Sequence, residues 1–243
     1  MPLGSTISVD SLQEWRYTLK EIKKYGICGL RLESTGEDPL SYDTRIISIS
    51  LPDAVHNADT AKLGKEIVCD LGRLVEQRRV RKIIHDAKPV LDFIRASVDR
   101  RLYACNIFDL MLASQICWSG YQYLTASNST KNPWKKNNPN HSLASLAERH
   151  LGIILDGEGS AGKEAAALLP LYHILAELIA RNGLQRIADL EFRAVSSLTE
   201  MEMSGIHMNV DQAKEMVRQE EKKMVDLVWT MQDEARRKGF VTV

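Results

Sequence analysis

An α/β fold followed by an all-helical segment is the class that the sequence predicts. Two apolar runs, Ile27 to Leu32 and Ile46 to Leu51, flank a polar turn containing Gly36, Asp38 and Pro39, the pattern of a strand pair. Further short apolar runs then alternate with helical periodicity as far as Cys117. From Ser142 onward nearly every window has helical spacing. The expectation is a flanked sheet of about four strands with helices behind it.

Ser11 to Tyr25 is expected to be helical. Asp10 or Ser11 can cap it, Leu12, Trp15, Leu19 and Ile22 recur at helical spacing, lysines fill the last turn and Gly26 ends it. Met1 to Ser5 contributes nothing to the expected fold. The Ile/Ser alternation of Ile46 to Leu51 marks a strand with one buried face. In the first strand Arg31 and Glu33 are two residues apart and so share a face. After Pro52, polar His56 to Thr60 reads as a loop or small insertion.

Leu63 to Arg79 returns to a helical pattern, and Arg81 to Ile84 is a short strand. Pro89 suits the first turn of the next helix, through Val98. Leu102 to Ile107 is expected as a strand and Phe108 to Cys117 as a helix. Gly120 to Asn140 is rich in Ser, Thr, Asn and Lys and reads as a long loop. Its Trp134, Lys135 and Lys136 suit either a solvated surface or a grip on single-stranded nucleic acid. Ser142 to Leu151, Lys163 to Asn182, Leu184 to Gly205 and a charged stretch from Val210 complete the helices.

The 243 residues are 44% hydrophobic and 26% charged, with a formal net charge of zero. No global field advertises a nucleic-acid or membrane partner, so any such site is a local patch. Basic clusters occur at Lys20, Lys23 and Lys24, at Arg78, Arg79, Arg81 and Lys82, and at Lys131, Lys135 and Lys136; a solvated surface explains each as well as phosphate contact does. Cys28, Cys69, Cys105 and Cys117 have no C-x-x-C or metal-ligand spacing, which favours free thiols. No signal peptide opens the chain and no apolar run approaches about 18 residues, so the expected location is intracellular, with no membrane partner. A complete P-loop, H-E-x-x-H and G-x-S-x-G are all missing. What remains is a site in which carboxylates from separate elements converge on divalent cations.

Six ordered pieces carry a resemblance: Leu-Glu-Ser-Thr-Gly, Ile-Ile-Ser-Ile-Ser-Leu, Lys-Ile-Ile-His-Asp-Ala-Lys, Ile-Phe-Asp-Leu-Met-Leu-Ala-Ser-Gln, His-Ser-Leu-Ala-Ser-Leu-Ala-Glu-Arg-His-Leu-Gly and Ala-Leu-Leu-Pro-Leu-Tyr. Together they resemble the 3′–5′ exonuclease domain of family A (Pol I-type) DNA polymerases. The tail around Leu-Thr-Glu-Met-Glu-Met-Ser-Gly-Ile-His-Met-Asn-Val-Asp is similar to the helix leading into the polymerase domain. The resemblance implies a ribonuclease H-like, DnaQ-like fold over residues 1–185. It also implies a helical segment over 186–243 that opens a polymerase domain continuing beyond Val243. The implied partner is DNA, as a single-stranded 3′ end or primer-template, in the cytoplasm with the nucleoid or in another intracellular compartment.

In that family four carboxylates hold two metal ions that clamp a phosphodiester, and a tyrosine or histidine orients water. Carried over residue by residue, the first motif's Asp-x-Glu becomes Arg31-Leu32-Glu33. The second motif's aspartate falls at Val90. The third motif places Glu164 at the aspartate and Ser160 at the tyrosine. Glu33 and Glu164 are thus remnant catalytic positions, while Arg31, Val90 and Ser160 are motif positions lost. A guanidinium at the metal position repels a divalent ion by several kcal/mol. No cofactor is therefore expected, Mg²⁺ or Mn²⁺ being required only if the nuclease works, and Arg31 is expected to pair with Glu33 and Glu164 in place of metal. Candidate nucleic-acid contacts are Ser34, Thr35, His85, Lys88, Trp134, Lys135 and Lys136. Asp109 matches a non-ligand aspartate and is read as a helix cap. The expected role is a scaffold or DNA-binding surface without hydrolysis; the alternatives are an active proofreading nuclease and a free-standing interaction protein.

Overall fold

The two apolar runs form a hairpin, as their pattern requires. In a computed structural model, which describes residues 5–35, 43–98, 101–118, 140–155 and 160–240, β2 (Ile27–Thr35) pairs antiparallel with β3 (Asp43–Ser50). The turn with Gly36, Asp38 and Pro39 lies outside the described residues, as do Trp134, Lys135 and Lys136. Ahead of the hairpin come β1 (Ser5–Val9) and α1 (Leu12–Tyr25). Ser11 and Glu14 make a reciprocal capping box on α1, and Gly26, at φ 68°, ends it in the left-handed region that favours glycine.

The remaining elements are β4 (Ala54–Asp59), α2 (Thr60–Leu63), α3 (Glu66–Val75), β5 (Arg81–Ile84), α4 (Ala87–Val98), β6 (Ile107–Asp109), α5 (Leu110–Trp118), α6 (Leu143–Leu151), α7 (Ser160–Arg181), α8 (Gln185–Ser204) and α9 (Val210–Arg237). Six strands are ordered β1-β4-β3-β2-β5-β6. β3 runs antiparallel to both neighbours; the other pairings are parallel.

Three expectations about the strands and their limits are corrected. Among the described residues the sheet has six strands, not about four, because β1 and β4 extend it beyond β3. The stretch around His56 is a strand rather than a loop: Leu51 N–H donates to the Ala54 carbonyl, the chain reverses at once, and the Thr18 hydroxyl lies 3.0 Å from His56 Nδ1. A partner on α1 thus lets a polar residue sit inside the sheet, where burial lowers the His56 pKa. The strand expected over 102–107 begins only at Ile107, and its helix follows at Leu110.

Helices cover both faces of the sheet. Cys28, Leu30, Leu32, Ile47 and Ile49 join one core with residues of α1, α3 and α4. Ile83 and Phe108 join a second with α5, α6, α7 and α8. Ser48 and Ser50 are consequently buried, so β3 has two covered faces, not one. Trp15 locks α1 onto α3, its indole donating to Asp70 Oδ2 at 3.1 Å. Lys82 is also buried, not part of a solvated cluster; its ammonium donates to the carbonyls of Gln77 and Val80. Burial lowers its pKa to about 8.

The chain divides into two compact units, Met1–Met203 and Ser204–Val243. Ala188, Phe192 and Val195 of α8 bury themselves in the cores of the first unit. The second unit contains α9, capped by Asn209, whose side chain accepts from Gln212 N–H at 3.0 Å.

A Cβ on Gly29 would lie 3.0 Å from the Cβ atoms of both Leu168 and Ser50, so α7 crosses β2 where no side chain intervenes. Gly29→Ala is expected to lower the urea-unfolding free energy by about 1–3 kcal/mol by forcing the helix off the sheet. Lys82 offers a pH test. Its pKa is about 8 when folded against an ordinary 10.5, so within that interval the unfolded chain binds more protons and stability rises with pH. The stability of the wild type relative to Lys82→Met is expected to climb through this interval in pH-resolved urea titrations.

Candidate functional site

Strand alternation decides which β2 side chains meet α7. Cys28, Leu30 and Leu32 point into the core shared with α1, α3 and α4. Gly29 contacts Leu168 on the opposite face, which places Arg31 and Glu33 on the α7 side as well. Glu164 precedes Leu168 by about one helical turn. The Gly29–Leu168 approach therefore presents Glu164 to Arg31, and Arg31 Nε donates to Glu164 Oε2 at 2.6 Å. The side chains are 36% and 20% exposed, so water screens the pair only in part.

Glu33 stands outside this pair. It is exposed, lies opposite Ile46 beside a bulge at Glu33/Ser34, and makes no ion pair among the described residues. The expected pairing of Arg31 is thus formed with Glu164 and not with Glu33. Ser34 and Thr35 continue β2 opposite Thr44 and Asp43. Val90 is buried in the apolar cluster on the α1 side of the sheet. Ser160 is the first residue of α7. Among the described residues no group of three or more His, Cys, Asp or Glu side chains is placed to hold a metal ion. The donors carried on these motif positions do not fit a two-metal clamp, which needs several anionic oxygens converging on each ion.

The other candidates are held by protein partners. His85 Nε2 lies 2.8 Å from the His141 carbonyl, and His141 Nδ1 lies 2.8 Å from the Ser114 hydroxyl. Lys88 sits between Asp92, at 3.2 Å, and Glu202, at 2.6 Å. The Glu202 hydrogen bond is the main cause raising the Lys88 pKa, while burial raises that of Asp92. Asp109 does more than cap one helix. One oxygen accepts from Met111 and Leu112 N–H at the start of α5, and the carboxylate also accepts from Asp86 and Ala87 N–H at the start of α4. Burial raises its pKa against the pull of these donors.

Two polar residues escaped the sequence reading. Ser48 pairs with Arg31 on one side and with Asn57 on the other, and Ser48 Oγ and Asn57 Oδ1 are buried without a hydrogen-bond partner. A Cβ on Gly162 would lie 3.3 Å from Asn57 Nδ2, so the first turn of α7 rests directly on this row. Serine in an Ile/Ser alternation looks like a solvent face; only the presence of α7 makes it interior.

A double-mutant cycle over Arg31→Ala and Glu164→Ala measures the pair that links β2 to α7. The expected coupling is about 1 kcal/mol, the upper range for a partly exposed pair. A coupling of zero would mean that the contact does not hold α7 to β2.

A sequence profile described as 3′–5′ exonuclease matches residues 6–177. No curated protein matches the chain. Among solved structures, the POL domain of Pol1 from M. smegmatis, in complex with DNA primer-template and dNTP, is 18% identical with a TM-score of 0.73, over 98% of this chain and 38% of that one. The catalytic core of RRP6 from Trypanosoma brucei is 17% identical with a TM-score of 0.64, over 79% of this chain and 52% of that one. Brucella melitensis NrnC bound to pGG is 14% identical with a TM-score of 0.62, over 83% and 95%. This chain thus spans about half the length of the RRP6 core and less of the polymerase. At such identities the structural likeness speaks for the fold, and the profile, which spans most of the chain, speaks for the family. The protein belongs to the 3′–5′ exonuclease domains of family A DNA polymerases.

Proposed function

We propose that this chain is the exonuclease-like part of a family A DNA polymerase, that it associates with DNA, and that its hydrolytic site does not turn over. The observation that carries this reading is Arg31 Nε on Glu164 Oε2 where the family's ligands would face a metal. The guanidinium supplies, without any ion, the positive charge that keeps a carboxylate at the start of α7 docked against β2. It also repels a divalent cation that approaches Glu164. Val90 contributes an apolar surface where a carboxylate would be required. Ser160 cannot substitute for tyrosine at the same reach, since its hydroxyl is carried on a single carbon.

Residues 186–243 fit the opening helices of a polymerase domain. Support comes from the match to the mycobacterial polymerase chain, which takes in almost all of this chain. The role left to the exonuclease-like part is that of a scaffold and a DNA-associated surface, in whichever compartment holds the DNA. No helix among the described residues is long and apolar enough to cross a membrane.

The test is a 3′-labelled single strand incubated with purified protein and Mg²⁺ or Mn²⁺. Nucleotide release is expected to equal that of buffer and to be unchanged in Glu33→Ala. Metal-dependent release that disappears in Glu33→Ala would establish a working nuclease instead. In the converse experiment, Arg31→Asp with Val90→Asp is expected to restore Mn²⁺ binding detectable by calorimetry; failure to bind would place the motif positions elsewhere.

A further inference from the structure

A second basic site lies at the other end of the strands. β5 and β6 run parallel to β2, so their first residues sit away from Glu33. There a cavity of about 680 Å³ opens between the start of β6, α7 and α8. Its walls include Arg81, Asn106, Phe108, Asp189, Phe192 and Arg193. This volume lies within the range of small-molecule pockets.

The two arginines are aimed but not neutralised. Arg81 Nε donates to Asn106 Oδ1 at 3.0 Å, and one of its terminal nitrogens donates to the Tyr172 hydroxyl at 3.2 Å. Arg193 Nε donates to the Asp189 carbonyl at 3.1 Å. Each guanidinium is therefore oriented by neutral acceptors through its inner nitrogen. Terminal N–H groups remain, which is the geometry that grips a phosphate through paired hydrogen bonds. Among the described residues neither arginine makes an ion pair, nor do the adjacent, exposed Arg78 and Arg79; seven other arginines, such as Arg73 and Arg95, do. Asn106 fixes the arrangement. Its backbone adopts φ 52°, and its side chain also donates to the Arg78 carbonyl at 3.0 Å.

The rest of the wall excludes bare phosphate as the best ligand. Phe108 and Phe192, with ring centroids 4.8 Å apart, give an apolar floor, and the Asp189 carboxylate would repel a compact dianion. A ligand matching all three features carries phosphate at one end, a flat ring, and N–H or O–H donors between or on them. We infer that this cavity binds a nucleotide, its phosphates on Arg81 and Arg193, its ring against the phenylalanine floor, and an N–H or O–H group on Asp189. This site is separate from the Arg31–Glu164 pair and does not depend on whether that site hydrolyses DNA.

The test titrates the full chain into fluorescently labelled ATP in EDTA and follows anisotropy. Saturable binding is expected, weakened at least about tenfold in Arg81→Gln/Arg193→Gln, as loss of charge-assisted contacts predicts. The charge-matched control Arg16→Gln/Arg73→Gln is expected to bind as wild type does. Arg193→Gln alone, on the exposed face of α8, serves if the double variant does not fold, and it too must weaken binding. Unlabelled ATP and a 5′-phosphorylated oligonucleotide then distinguish sources. Displacement by ATP alone assigns a free nucleotide, and displacement by both assigns the same pocket to a strand end as well. No saturable binding, or equal binding by the Arg81/Arg193 variants, overturns the inference.

Discussion

One ion pair, Arg31 to Glu164, joins residues 133 positions apart and ties the hairpin to the helix that covers it. The neighbouring contact of Gly29 with Leu168 brings β2 and α7 too close for any intervening side chain. A carboxylate in that position needs a positive partner, because partial burial without one is costly. In a metal-dependent nuclease that partner arrives from solution. Here it is part of the chain, so the docking of α7 does not wait on an ion. The pair remains partly wet, and its value lies in fixing geometry more than in raw stability.

The same economy runs through the polar interior. Asp109 binds the starting turns of α4 and α5 with a single carboxylate, and thereby sets the end of β6 against the end of β5. Lys82 closes two carbonyls before β5, at the cost of a depressed pKa. Thr18 answers His56 from α1. Each polar group lets a strand stay covered on both faces where an apolar residue would have left backbone or ring nitrogen unmet. Among the described residues of this part of the sheet, Ser48 and Asn57, beside Arg31, leave buried oxygens unpaired.

Much of this was legible in the sequence, and the failures share a cause. Helix limits followed local signals: Ser11 with Glu14, Gly26, Ser142 and Gly152 all act at the ends where their chemistry belongs. The hairpin was likewise readable from pattern, and Asp109 from the family resemblance. Periodicity, however, reports whether a face is polar, not whether another element covers it. Ser48 and Ser50 therefore passed as a solvent face, β4 as a loop and Lys82 as surface, although all are interior. Arg31 was recognised from motif comparison, yet its choice of Glu164 over Glu33 follows from the crossing point of α7, which no local pattern contains. Arg81 and Arg193 are likewise distant in the chain, and only the packing of α8 on the β6 side places them around one cavity.

The fold keeps the frame of the exonuclease family, and on the proposed reading its motif positions carry a cation, an apolar residue and a short hydroxyl in place of ligands. Family membership describes the frame; the chemistry is decided by what stands on it. The proposed substitution of ion pair for metal is tested most directly by diffraction from crystals soaked in Mn²⁺, measured for anomalous scattering. The predicted result is the Arg31 guanidinium on the Glu164 carboxylate with no anomalous peak beside Glu33 or Glu164. A manganese ion bound by those two glutamates, with Arg31 swung away, would contradict it.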